Sequence, residues 1–502
     1  MSDLIQAPTA KDSKRWLALV VMLFAQLMVV LDGTIVNIAM PQAQAALHIT
    51  DANRQWMLTA YTLTFGGLLL LGGRIADYVG RKRVFLIGLI GFALASALGG
   101  LAQNEGMLFG ARALQGAFGA ILAPASLSLI TVTFTDVKER ARAFGMLGAI
   151  SGVGAAIGLV MGGWLTQDFS WRWCLFVNII MAVLAFAAAV PLLTESKAHG
   201  NTKYDIPGAI LATGGLASLV YGFTNAAKTG QGWTSGQTLL FLIGGAAMLV
   251  AFVVVESRVA NPLLPMRVLW HRNRGGSYAS SVLMGAGMMG MFMFFTYYFQ
   301  ISLGYSPLKT GLLYLPFTGA LIVTAGVAST ILPKVGPRVL MTYGSLVAAG
   351  SLFWLAELKL DSSYPAMILP SMLLMAHGMG CVFVPLANTA LTGVADHDAG
   401  VASAMVNTTQ QIGGSLGVAM LNTFFATATT TYFNSHVATQ GKTVAGALSA
   451  IHGYNVAFLV SGFLLAGAAL VVFLLIRKDD EPADAITTGG AFPADRPVVH
   501  VG

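Results

Sequence analysis

LDGTIVNIAMP, residues 31–41, closes an apolar segment that begins at Trp16, and it places Asp32 inside a stretch long enough to cross a membrane. A spanning helix needs about 20 predominantly apolar residues. Between Trp16 and Met40, Asp32 is the only acid. An ionised side chain at the bilayer centre costs on the order of 2.5–3.5 kcal/mol even on insertion scales, so such a group faces a partner or a water-filled cavity. Asp32 therefore reads as part of an ion or substrate site, or as a structural acid hydrogen-bonded to a neighbouring helix.

The rest of the chain has the same character. Of its 502 residues 10% are charged and 56% hydrophobic, whereas soluble domains carry about a quarter charged residues. This is the composition of an all-α polytopic membrane protein, with the lipid bilayer as its first partner. The net charge of +7 sits in short loops between apolar runs, so it reports topology and not a nucleic-acid partner. Cys174 and Cys381 lie far apart in apolar segments and read as buried small residues, with no disulfide or metal framework. Lys11, Lys14 and Arg15 precede the first run as in a signal peptide, but its length and lack of a small-residue cleavage site mark a retained helix.

Spans of sufficient length fall at 16–40, 54–73, 84–103, 106–132, 142–166, 171–192, 205–226 and 237–256, and then at 275–300, 308–332, 338–356, 364–392, 399–427 and 452–476, fourteen in all. With the N-terminus in the cytoplasm, 21 of the 28 Lys and Arg fall on the inner side. Arg54, Arg172, Lys228, Lys309, Lys359 and Lys442 fall outside, and Arg112 lies within a helix. The bias places both termini in the cytoplasm. The expected organisation is a cytoplasmic segment 1–15, a six-helix bundle 16–192, two inserted helices within 193–256, an amphipathic linker 257–274 on the inner face, a second six-helix bundle 275–476 and a disordered tail 477–502. Residues 428–451 read as an outer loop, Thr-rich at its start. No nucleotide-binding loop, cofactor motif, or set of nucleophile, base and oxyanion donors is visible, which argues against an enzyme or an ATP-driven pump.

Three stretches carry mechanism. In GRIADYVGRKRVF, 73–85, Gly73 and Gly80 permit a tight inter-helix turn, and Asp77 with Arg81, Lys82 and Arg83 sets opposite charges at helix ends. In RALQGAFGAILAP, 112–124, Arg112, Gln115, Gly116 and Gly119 share one helical face. Arg112 lies ~10 Å inward from Glu105 and Asp32 lies ~13 Å inward from Pro41, so the two match in depth and can pair if their helices adjoin. Such a pair holds Asp32 ionised until Arg112 moves away, or it is a static buried ion pair. In the fifth span, Gly148 and Gly152 form one small-residue run and Gly154, Gly158 and Gly162 another, next to Gly163, which lets helix backbones approach closely.

These stretches resemble signatures of the major facilitator superfamily. The loop 73–85 is similar to G-x-L-A-D-[RK]-x-G-R-[KR], whose charges latch two halves at the cytoplasmic side, with Tyr78 where a basic residue is usual. Residues 148–165 resemble the antiporter motif of exporters, with Gly158, Gly162 and Gly163 matching and Leu159 in place of its proline. LDGTIVNIAMP, and WRWCLFVNI at 171–179, resemble the fourteen-helix drug:proton antiporter branch. The resemblance implies two six-helix bundles plus two inserted helices, rocking about a central cavity in the cytoplasmic membrane. It implies, further, a monomeric proton-coupled exporter of lipophilic, often cationic, small molecules, such as drugs or toxic compounds.

Within that frame, Asp32 and Arg112 are the candidates for proton coupling, because no helix core of the second half contains an acid. His377 is a possible relay or a hydrogen-bonded structural group. Met288, Met291, Phe295 and Tyr298 are candidates for an adaptable, polarizable cavity wall, and Gln26, Asn37, Gln115, Asn407 and Gln411 for its polar contacts. An exporter of one endogenous metabolite, or a non-transporting receptor with the same fold, are the alternatives.

Overall fold

A computed structural model of the protein describes residues 10–197, 205–228, 230–259, 262–394 and 398–477. The expected tail beyond 477 and most of the N-terminal segment lie outside these. Eight spanning helices come first: α1 (Ala10–Ala46), α2 (Trp56–Val79), α3 (Arg81–Gly100), α4 (Glu105–Thr133), α5 (Val137–Asp168), α6 (Trp173–Leu192), α7 (Ile206–Ala226) and α8 (Gly236–Glu256). After a linker with one short turn of helix, Met266–Leu269, come α9 (Arg272–Ser302), α10 (Pro307–Val335), α11 (Pro337–Leu355) and α12 (Tyr364–Leu391). The last helical stretch, Ala399–Leu475, is broken at Gly441, where φ is 77° and ψ 160°. It therefore forms two helices, α13 (399–440) and α14 (442–475), and the described residues contain fourteen spans.

The expected outer loop 428–451 is helical up to and beyond Gly441. Its two arms run antiparallel: a side chain at Gly453 would meet Thr429 and Phe425, and Tyr432 stacks on His436 and lies against His452. At 1.5 Å per residue α13 is about 60 Å long, twice the hydrocarbon thickness, so the hairpin stands well clear of a bilayer. Packing of one arm on the other overrides the weak helix preference of its threonines.

One half comprises α1–α6 around a core containing Met22, Phe85, Phe92 and Phe134, and the other α9–α14 around Phe294, Phe295, Met372 and Phe458. The halves meet along α2 with α13 and along α5 with α10, while α7 seats against both α2 and α13 and α8 packs on α7. Backbone contact is closest at Gly413, where a Cβ would lie 2.0 Å from the Val282 carbonyl oxygen of α9. Gly413→Val must force α9 and α13 apart, and overpacking of this kind costs about 1–3 kcal/mol. The expected outcome is a lower unfolding temperature in detergent, read by fluorescence-detected size-exclusion after heating, with Gly148→Val as the silent control because Gly148 faces open space.

Candidate functional site

Asp32 of α1 is fully buried in the first half, where donors from α4 and α6 meet it. Arg112 Nη1 of α4 donates to its Oδ2 at 2.5 Å, and Gln115 Nε2, one turn on, donates to Oδ1 at 3.0 Å. Asn178 Nδ2 of α6 donates to the same Oδ1 at 2.7 Å. Each donor is itself held. The Arg112 Nε donates to the Met57 carbonyl of α2 and its guanidinium lies 4.6 Å over the Tyr61 ring, while Gln115 Nε2 also donates to Ser96 Oγ of α3 at 2.6 Å. A countercharge and two amides thus replace the hydration that the carboxylate loses, which is the condition for keeping an ion pair in a low-dielectric interior.

The matched depth of Asp32 and Arg112 becomes a direct contact because α1 and α4 adjoin. Gln115 differs from its expected place in the cavity wall, since its amide is consumed by Asp32, Arg112 and Ser96. Asn178 was visible in the sequence only as a polar residue within the apolar run of WRWCLFVNI.

Beside this group lies a cavity of about 1330 Å³ between the halves. Arg112 and Tyr61 border it, with Gln26, Asn37, Met288, Asn407 and Gln411 in the wall, and Phe65, Met289, Phe292 and Phe317 in addition. Asp32 stands behind Arg112 and is not among the lining residues. Met291, Phe295 and Tyr298 are not in the wall either. They lie on the opposite face of α9, packed into the second half: Phe295 lies 5.3 Å from Phe458 and Tyr298 5.8 Å from Tyr454, ring to ring. His377 also points away from the cavity, to Thr324, Tyr343 and Cys381, with Nε2 3.1 Å from the Tyr343 hydroxyl. The geometry brings it near neither Asp32 nor Arg112.

The cavity opens at the face that carries the α2–α3 loop, where Arg74, Asp77, Arg81, Arg267 and Asp398 rim it. At the opposite face it is shut by contacts between halves. Arg54, 3% exposed, donates from Nε to Asn422 Oδ1 at 3.0 Å and lies between the rings of Tyr297 at 4.2 Å and Phe425 at 4.5 Å. Asn422 Nδ2 donates to the Asp51 carbonyl and to Gln55 Oε1, both at 2.8 Å. Deeper in, Gln300 Nε2 donates to the Ile38 carbonyl and Asn37 Nδ2 to Phe292 O and Thr296 Oγ1. In the sequence Arg54 stands only as an outer-loop charge.

At the open face Arg81, Lys82 and Arg83 of the loop 73–85 are held within their own half, while Arg74 donates to the Pro262 carbonyl of the linker. Asp77 accepts from Arg81 at 2.8 Å, and the Glu195 carboxylate accepts from the Lys82 and Arg83 amides, capping α3. Lys82 Nζ donates to the Val190 carbonyl at 2.7 Å. Gly80 has φ 127°, and a Cβ there would lie 2.8 Å from the Glu195 carboxylate, so only glycine fits. In α5, Gly158 and Gly162 receive Thr34 and Ile35 of α1, Gly163 receives Leu308 of α10 and Gly152 touches Ile322. At Gly148, expected in the same packing, a Cβ would meet no other element within 4 Å. Helix α5 runs unbroken through Leu159.

The family model described as Major Facilitator Superfamily matches residues 22–418. The puromycin resistance protein of Streptomyces alboniger is 46% identical over 486 residues, 96% of this chain and 95% of that protein. The cephamycin export protein of Amycolatopsis lactamdurans is 39% identical over 84% of this chain and 87% of its own length. The tetracenomycin C resistance and export protein of Streptomyces glaucescens is 33% identical over 82% of this chain and 76% of its own. Among solved structures, a peptide transporter in complex with sulfate superposes with a TM-score of 0.64 at 15% identity, covering 92% of this chain and 96% of that one. At that identity the likeness concerns the fold.

Removing one member of the buried pair strands the other. Arg112→Ala is expected to destabilise the protein by about 3–5 kcal/mol, and Asp32→Asn by less, because the Arg112 guanidinium, though without its counter-ion, keeps the Met57 carbonyl, the Gln115 amide oxygen and the Tyr61 ring. The double variant recovers part of the Arg112→Ala loss, and thermal unfolding of the four proteins in detergent measures that coupling.

Proposed function

Since this chain belongs to the Major Facilitator Superfamily, we propose that it exports lipophilic, often cationic, drugs or toxic compounds across the cytoplasmic membrane in exchange for protons. Its relatives are named for resistance to, or export of, puromycin, cephamycin and tetracenomycin C. The observation that carries the proton part is the Asp32–Arg112 pair, sealed from water yet one side chain away from the cavity.

The positive-charge bias makes the open face the cytoplasmic one. Cargo then enters from the cytoplasm into a wall of Met288, Met289, Phe292 and Phe317, whose polarizable and aromatic surfaces suit flat hydrophobic ligands and cations. Rocking of the halves about this cavity opens the outer face. That motion must withdraw Arg54 from between Tyr297 and Phe425, and the loop 73–85 must exchange partners at the inner rim. Protonation of Asp32 from outside weakens its hold on Arg112 and favours release and return, and loss of the proton to the cytoplasm restores the cargo-binding state. One chain contains both halves and the whole cavity, so the working unit is a monomer.

A narrower reading, export of one endogenous metabolite, is favoured by the relatives' names, each of which specifies a single antibiotic. Substrate-stimulated proton flux across a panel of compounds separates broad from narrow specificity.

In proteoliposomes with an imposed pH gradient, Asp32→Asn should abolish uphill accumulation of puromycin and of a lipophilic cation while leaving binding measurable. Accumulation equal to wild type would remove proton coupling from Asp32. Arg54→Ala should shift the resting population toward the outward-open state, read as a longer distance between spin labels on the outer ends of α2 and α13.

A further inference from the structure

Two acids unused by this cycle meet where α7 begins and α8 ends. Asp205 is the N-cap of α7, its Oδ1 accepting from the Gly208 amide at 2.8 Å. Glu256 is the last residue of α8, its Oε2 accepting from the Leu264 amide of the linker at 3.0 Å. Both are more than nine-tenths buried, at 4% and 2% exposed. Their other oxygens, Asp205 Oδ2 and Glu256 Oε1, have no donor. These same two atoms converge over Gly208, where a Cβ would lie 2.7 and 2.5 Å from them, and the two carboxyl groups are hydrogen-bond neighbours.

Among the described residues, the groups around the pair offer no positive charge. From α7 Glu256 meets Asp205, from the linker it meets only the amides of Leu263 and Leu264, and Arg258 beyond the end of α8 is exposed. No basic side chain among the described residues bonds to either carboxyl. Two like charges in contact at a buried site cannot both persist, and one proton between the facing oxygens supplies the missing donor.

We propose that Asp205 and Glu256 form a second proton-binding site, which holds one shared proton while the linker is docked on α8. The linker is a mechanical part of the cavity mouth: Pro262 accepts from Arg74 Nη2 at 2.8 Å, and Arg267 pairs with Asp398 at the start of α13 at 2.7 Å. Loss of the shared proton sets two carboxylates against each other, parts the end of α8 from α7 and frees the linker from Glu256. The rim therefore answers to pH on its own face, through groups remote from Asp32.

Infrared difference titration of the full chain in lipid tests the site directly. Wild type should show a protonated-carboxyl band near neutral pH that Glu256→Gln removes and Asp32→Asn leaves in place. Hydrogen–deuterium exchange reads the docking. Corrected for intrinsic rates, the linker amides of wild type should exchange faster as pH rises, by up to about tenfold per unit while the deprotonated fraction is small. In Glu256→Gln, whose amide can donate to Asp205 at any pH, exchange should be slow and flat. Asp205→Asn is the parallel variant should the first fail to fold. A band that survives both substitutions, or a linker whose exchange keeps the wild-type pH dependence in them, would overturn the proposal. Neither readout depends on which cargo is carried or on transport itself.

Discussion

A carboxylate and a guanidinium closed off from water within a helical bundle set the terms for the first half of this protein. Taking both charges out of water is expensive, and their mutual attraction offsets that cost only if the remaining donors and acceptors are met. The four helices α1, α3, α4 and α6 are therefore fixed relative to one another by chemistry at one point: Asp32 from α1, Arg112 and Gln115 from α4, Asn178 from α6 and Ser96 from α3. Close glycine contacts let the surrounding backbones approach, as where Gly158 accommodates Thr34 next to the acid-bearing turn. Packing and charge pairing here reinforce each other, since neither alone would bring the buried acid of α1 to the lone cation of α4.

The two ends of the cavity are closed by different physics. At the end opposite the α2–α3 loop, a cation from one half is inserted between two rings of the other, with an amide network around it. Such contacts are strong when desolvated and weaken as soon as water enters, which suits a seal that must form and break. At the open end Arg81, Lys82 and Arg83 of loop 73–85 are held by Asp77, Glu195 and the chain leaving α6, while Arg74 reaches the linker at Pro262.

The sequence makes the spans and the Asp32–Arg112 pair legible for one reason: both rest on the cost of polarity in a bilayer, which is large and local. Fourteen apolar runs, and Asp32 and Arg112 as exceptions within them, stand out without any knowledge of packing. Facing direction is less legible. Helix α9 is apolar around its whole circumference, so Met288 and Phe292 in the cavity cannot be told from Met291 and Phe295 in the core by periodicity. The hairpin 428–451 reads as a loop because it lies beyond the apolar spans, although its arms stabilise each other. Arg54 and Glu256 read as charges at helix ends, because burial of an end residue depends on what the opposing half or the linker brings to it. Asn178 shows the intermediate case, a lone amide in an apolar helix whose partner lies 146 residues away.

The placement of Asp32 behind the cavity wall constrains how cargo and proton can be coupled. Direct competition for the carboxylate would need cargo to reach it, yet Arg112 and Tyr61 stand between, and both border the cavity. Coupling can instead run through Arg112. In the proposed exchange, a cation lodged in the cavity repels the guanidinium toward Asp32 and favours the paired, ionised state, whereas protonation of Asp32 removes the attraction that holds Arg112 there. Each event biases the same side chain, and linkage requires the influence to be equal in both directions. Broad cargo chemistry is compatible with such an arrangement, because the carboxylate reads the position of its own arginine and never the shape of the molecule being moved.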